Sequence, residues 1–156
     1  MSMKITGLAA TKRALKMEID KLRTPHYALV GIHQSAGIEP DSSLTVATLG
    51  AIQHFGNDDI PARPWLDKGA ESGTKEYLDT IREGIEDGLD AKQIMARVGV
   101  EAEGAIRQYI TDLDSPPNKP STIKRKGSSN PLIDTENMRS SVTSTVASKK
   151  PKEGME

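Results

Sequence analysis

The sequence predicts an α+β fold: a small antiparallel or mixed sheet packed against about four helices, with a long proline-rich loop before a C-terminal strand. Three observations predict it. Apolar residues recur at helical spacing in several stretches of the first two thirds of the chain. Two short β-branched runs, near residues 27–33 and 142–146, stand at opposite ends of the chain and do not alternate with helices as parallel βαβ units would. At 156 residues the chain has the size of one domain, read as 1–148, with a disordered basic tail over 149–156.

The elements follow in order. Residues 7–23 read as an amphipathic helix, with Leu8, Leu15, Ile19 and Leu22 on one face and Lys or Arg between them. Thr24-Pro25 stops it, because a residue before proline is pushed out of the helical region. Residues 27–33 are short, apolar and β-branched, hence a buried strand, and residues 34–43 form a loop by composition. Ser42 or Ser43 is placed to cap a helix over roughly 44–55, which Gly56-Asn57 ends. Residues 60–66 then read as an extended, proline-stiffened segment.

Three helical patterns come next. Residues 74–87 put Leu78, Ile81 and Ile85 on one face; residues 90–98 start at an Asp90 cap and stop at Gly99; residues 100–113 carry Ile106, Tyr109, Ile110 and Leu113. After the proline-rich stretch, Asp134 or Thr135 is placed to start a short turn, and residues 139–148 read as an edge strand.

Composition narrows the functional classes. There is no cysteine, which removes disulfides, thiolate nucleophiles and cysteine metal sites together. The longest apolar runs are too short to span a bilayer, and Lys12, Arg13, Lys16 and Lys21 interrupt any leader-like segment, so a soluble protein is expected. Net charge is −1, but residues 1–56 carry six basic and four acidic side chains, 57–114 seven and fourteen, and 115–156 eight and four. An acidic middle between basic ends suits head-to-tail or ring contacts between copies, but a solvated helix face beside a basic tail is the simpler reading of the same pattern.

No catalytic, cofactor or metal set is visible. His26, His33 and His54 are the only histidines, and none is spaced i, i+4 from another. His33 and His54 are free to meet in space, with Asp58 and Asp59 near His54 in sequence. There is no Gly-x-Ser-x-Gly elbow, and Gly69, Gly73 and Gly84 are too irregular for a phosphate loop. Lys124, Arg125 and Lys126 form one basic cluster, in a loop by composition, suited to a phosphate or to another protein. In Ile60-Pro-Ala-Arg-Pro-Trp-Leu66, Arg63 can offer its forked donors to a carboxylate or to free carbonyls. Trp65, the only tryptophan, is a core anchor or an interface hot spot. Arg63, Trp65, Lys124, Arg125 and Lys126 are the partner-interface candidates.

At these residues the sequence resembles small tailed-bacteriophage morphogenesis proteins of the tail-completion, tail-terminator and neck (head–tail joining) type. The resemblance lies in Ile52-Gln-His-Phe-Gly56 with the 60–66 segment, and in residues 115–135 continuing to Met138 and Val142. It spans roughly residues 27–146, with His54 where an acidic residue is common and Glu136 where glycine usually follows Asp-Thr. It implies a structural virion component that is no enzyme and needs no cofactor, built into a homo-oligomeric ring, hexameric by preference. Such a protein contacts tail-tube and neck proteins and is assembled in the host cytoplasm. Two other expectations come from the residues themselves: a nucleic-acid-binding module at the packaging or portal exit using Lys124, Arg125 and Lys126, and a small hydrolase with His33 or His54 as base.

Overall fold

The computed structural model describes residues 7–39, 42–127, 129–132 and 137–151. It is an α+β arrangement in which helices pack against the one two-stranded antiparallel sheet found among the described residues. Strand β1 (Tyr27–Ile32) pairs with β2 (Val142–Ala147), from Tyr27 opposite Ala147 to Ile32 opposite Val142. The two strands that sequence placed at opposite ends of the chain therefore close it.

Helix α1 (Leu8–Arg23) ends where Thr24 turns extended ahead of Pro25. After β1, the 34–43 loop contains a 3-10 turn (Gln34–Ala36) and a bridge between Ile38 and Thr45. Helix α2 (Val46–Phe55) begins later than expected. Its cap is Thr45, whose Oγ1 accepts from the Thr48 N–H at 3.1 Å, while Ser42 Oγ accepts from Leu44 N–H and so turns the loop instead.

The expected extended segment over 60–66 stops two residues early. Pro64 is the N-cap, and Trp65 opens helix α3 (Trp65–Ser72), which turns at Gly73 into α4 (Thr74–Glu86). Proline is tolerated at a helix start because the first N–H groups have no partner inside the helix.

The largest correction concerns residues 91–112. They form one helix, α5 (Ala91–Asp112), not two separated at Gly99. Asp90 caps it as expected, in a reciprocal capping box: its carboxylate accepts from Gln93 N–H (2.8 Å) and Gln93 Oε1 accepts from Asp90 N–H (3.0 Å). Gly99 lies inside the helix because β2 crosses there. A Cβ at 99 would stand 2.8 Å from Ser144 Oγ and 3.0 Å from Ser144 Cβ. The helix accepts glycine's cost of about 1 kcal/mol to let the sheet approach.

Helix α5 is the hub. Ile106 and Ile110 are fully buried on it, and Val46, Trp65, Leu132, Met138 and Val142 complete the core around them. Gly69 brings α3 against it, where a Cβ would meet Ile106 Cα at 2.9 Å, and Gly84 brings α4 against Ile94. The outer edge of β2 is fixed to α5 as well. Glu103 Oε1 accepts from both the N–H and the Oγ of Ser144 at 2.7 Å, and Arg107 donates to the Val142 carbonyl. A side chain thus occupies backbone groups that an open edge would present.

Past α5 the chain runs through a loop with a cis peptide at Ser115-Pro116 into α6 (Pro120–Lys126) and α7 (Asn137–Ser140). The expected turn at Asp134 or Thr135, and Glu136, lie outside the described residues. Of the expected tail, Lys149 to Pro151 are exposed and irregular, and the remainder lies outside the described residues.

Candidate interface site

The site is built where the chain folds back on α2. Gly56 ends α2 at φ 73°, and a Cβ there would lie 2.6 Å from Ala62 N and 2.7 Å from Ile60 O. Only glycine permits both that backbone angle and that approach. Asn57 Oδ1 then accepts from the N–H groups of Asp59 (3.0 Å) and Ile60 (2.9 Å), and Arg63 N–H donates to Gln53 O at 2.9 Å. The segment leading to Pro64 is thereby laid back along α2.

Arg63 and Trp65 point inward from it. Trp65 is 3% exposed, and its Nε1–H donates to the Gly50 carbonyl at 2.9 Å. A Cβ at Gly50 would come within 3.2 Å of the indole, so glycine makes the seat in which the ring lies. Arg63 is 2% exposed. Its Nε donates to Pro116 O (2.9 Å), Nη1 to Gln53 Oε1 (2.8 Å), and Nη2 to Asn118 Oδ1 (3.2 Å) and Pro117 O (3.4 Å). All of these acceptors are neutral. Burial without a carboxylate beside it pulls the guanidinium below the usual arginine range.

The clamp continues into the later loop. Asn118 Nδ2 donates to Asn130 O (3.4 Å), Asn130 Nδ2 to Thr111 O (2.8 Å) and Ile110 O (3.3 Å), and Asn130 Oδ1 accepts from Leu132 N–H (2.9 Å). Asparagine 130 thus satisfies carbonyls at the C-terminal end of α5, which have no partner within the helix. Three irregular segments and one helix end are fastened by four polar side chains.

As interface candidates, Arg63 and Trp65 are corrected: both are consumed inside the chain and neither offers a surface. Lys124 and Arg125 are exposed, but on helix α6 and not in a loop. Pro120 begins α6 and Gly127, at φ 70°, ends it by donating to Ile123 O at 2.9 Å. That proline-then-glycine frame was the signal that composition alone passed over. Lys126 is the last residue of the helix.

Between α6 and the 59–63 segment runs a groove of about 550 Å³. Leu49, Ile60, Pro61, Leu132 and Met138 supply apolar lining, and Asp59, Lys119 and Arg125 line it as well. A second hollow of about 440 Å³ lies against α5 and holds Tyr77, Glu76 and Glu101. Burial first, and then those two carboxylates, pushes the Tyr77 phenol up, so it stays neutral at any ordinary pH.

The histidines do not gather. His26 Nδ1 lies 3.0 Å from Thr24 O, and His33 Nδ1 lies 2.9 Å from Ser35 Oγ. His54 is buried edge-on to Trp65, with Nε2 3.4 Å from Asp67 Oδ2, so its carboxylate neighbour is Asp67 and not Asp58 or Asp59. Among the described residues no group of three His, Asp or Glu is placed to hold a metal ion. No protein-family model, no curated protein and no solved structure matches the chain.

Proposed function

We propose that this chain is a structural virion protein of a tailed bacteriophage, one that caps the tail tube or joins tail to head through ring assembly, with no catalytic step and no cofactor. One observation carries the reading beyond the sequence resemblance. The two motifs on which the resemblance rests are separate in sequence, and Arg63 of the first holds the backbone of Pro116, 53 residues on, and of Pro117 in the second. The motif pair is therefore one physical unit, a clamp that shapes a groove and sets α6 beside it. Its buried members keep the frame, while Lys124 and Arg125 are left to face a neighbour.

In this reading the partners are further copies in a ring, six by preference, together with tail-tube and neck proteins, in the virion after assembly in the host cytoplasm. The nucleic-acid module is the weaker reading. Residues 113–132 hold no aromatic side chain on which a base would stack, and the exposed cations among the described residues there, Lys119, Lys124 and Arg125, are little to grip a strand.

The test is a deletion of the reading frame in its phage, with particles viewed by electron microscopy. Tails of uncontrolled length are expected if the protein caps the tube, and separate heads and tails if it joins them. Normal infectious particles would overturn the proposal.

A further inference from the structure

Helix α1 stands apart from everything above. Every residue of it whose side chain is described is exposed, yet it carries an apolar stripe: Leu15 is 59% exposed, Ile19 55% and Leu22 40%. At 100° per residue, positions 15, 19 and 22 fall within about 60° of one another. The body holds the helix from another side. Lys21 Nζ donates to the Gly88 carbonyl at 3.2 Å, and Lys21 lies about a third of a turn round from the stripe. Sixteen residues of solvated helix are marginal by themselves in water, so an apolar face of this kind calls for a cover.

The side chains say what covers it. With Lys12 and Ile19 at a positions, Leu15 and Leu22 fall at d, and the sequence register extends back to Leu8 at d. A β-branched residue at a with leucine at d favours two strands, and one lysine at an a position fixes register at a cost in stability. The flanking positions choose the orientation. Lys16 and Arg23 occupy e, while Thr11 and Glu18 occupy g. In a parallel pair Glu18 of one copy meets Arg23 of the other, an attraction; in an antiparallel pair the e positions face each other and set lysine against arginine. The contacts now made by Glu18 and Arg23 are exposed ones within a helix, Lys21–Glu18 at 2.9 Å and Arg23–Asp20 at 3.9 Å, and such pairs yield easily.

We propose that α1 is a docking helix for α1 of a second copy of this chain, in a parallel two-stranded coiled coil about two heptads long. The contact rests on α1 alone and is independent of the virion reading, so either can fail without the other. Since the seam is short, the pairing is weak and reversible.

The experiment is sedimentation equilibrium on the full chain from about 10 µM to about 1 mM, a range that brackets weak association. The expected result is a mass rising from one chain toward two. Leu15→Asp with Ile19→Asp should hold it at one, with an unchanged thermal midpoint because both residues are exposed. Lys12→Leu should tighten the pair roughly tenfold or more. Because the chain contains no cysteine, Lys12→Cys reports orientation: only a parallel, in-register pair brings the two thiols together, and mild oxidation should then give a covalent dimer. A monomer throughout, including the Lys12→Leu variant, overturns the proposal. So does association that survives Leu15→Asp with Ile19→Asp, since another surface then holds the copies. A dimer lost with those substitutions but not cross-linked through residue 12 overturns the parallel arrangement.

Discussion

The hub around α5 and the clamp around Arg63 sit side by side and are held by opposite means. In the hub, apolar side chains fill the space and glycines at 69, 84 and 99 let neighbouring elements come close. In the clamp, the backbone is irregular and hydrogen bonds from Arg63, Asn118 and Asn130 replace regular structure. The first kind of stability is spread over many contacts and water cannot replace it. The second is concentrated in a few donors, beside a groove from which water can enter once they are gone. Damage to the hub should therefore lower the stability of the whole molecule, and damage to the clamp should loosen one side of it.

The largest effect should come from Ile106→Ala, which removes a fully buried side chain at the meeting point of α3, α5 and the sheet. A loss of about 2–5 kcal/mol is expected, read as a lower urea midpoint with an unchanged slope. Gly99→Val comes next. The added atoms would press on Ser144 Cβ and Oγ, for about 1–3 kcal/mol, partly offset by valine's better helix propensity than glycine's. If Gly99→Val were neutral or stabilising, the close approach of β2 would not be what glycine is there for.

Those two positions also show what sequence could reveal. The α+β class, α1 and α4 are legible because each announces itself through period, and the strands through β-branching, although β1 is half-buried where a buried strand is expected and β2 starts only at Val142 because 139 and 140 belong to α7. Gly99 misled, because a glycine at the end of an apolar repeat looks the same whether it ends a helix or admits a neighbour, and only the partner 45 residues later decides. Helices α3 and α6 were read as extended or looped, since proline-rich composition outweighed the helix-start signal of Pro64 with Asp67 and of Pro120 with Gly127. For the site, the sequence leaves Trp65 between core anchor and interface hot spot, and its burial decides for the anchor. The burial of Arg63 is invisible in the sequence because its acceptors, two backbone carbonyls at Pro116 and Pro117 and the side-chain oxygens of Gln53 and Asn118, come from distant parts of the chain that no local spacing connects to it. Periodicity was equally silent on α1 against α5: both show a stripe, and only packing tells which is covered.

Arg63→Met tests the clamp. The apolar stem is kept, but the acceptors on Gln53, Pro116 and Asn118 lose their donor. An effect of about 1–3 kcal/mol is expected, smaller than for Ile106→Ala because water reaches those groups through the groove. The sharper readout is local. Hydrogen exchange and limited proteolysis should accelerate in residues 113–119 and 129–132 well before α5 loses protection. Uniform acceleration across α5 would erase the distinction between hub and clamp. Arg63→Lys should recover only part of the loss, since one ammonium cannot span acceptors arranged for a fork.

The smallest effect belongs to the outer face of α4, which serves as a control on both regions. There Asp79 accepts from Lys75 Nζ at 2.8 Å and from Arg82 Nη1 at 2.7 Å, and these hydrogen bonds hold its carboxyl below the ordinary carboxylate value. A depressed folded-state pKa contributes stability above the unfolded value of about 3.9, and the contribution disappears as pH falls through the lower folded value. Asp79→Asn should therefore act only at neutral pH and vanish in strong acid. Because the network lies at the surface, solvent screens it, and the urea midpoint at pH 7 should move by no more than the scatter between repeats. A clear loss at pH 7 that disappears at 0.5 M salt would mean that charge pairs along the helix, and not its packing on the hub alone, keep α4 folded. Such a result would break the comparison at its base, because the apolar contacts with α5 and the close approach at Gly84 would no longer suffice to account for how α4 is kept in place.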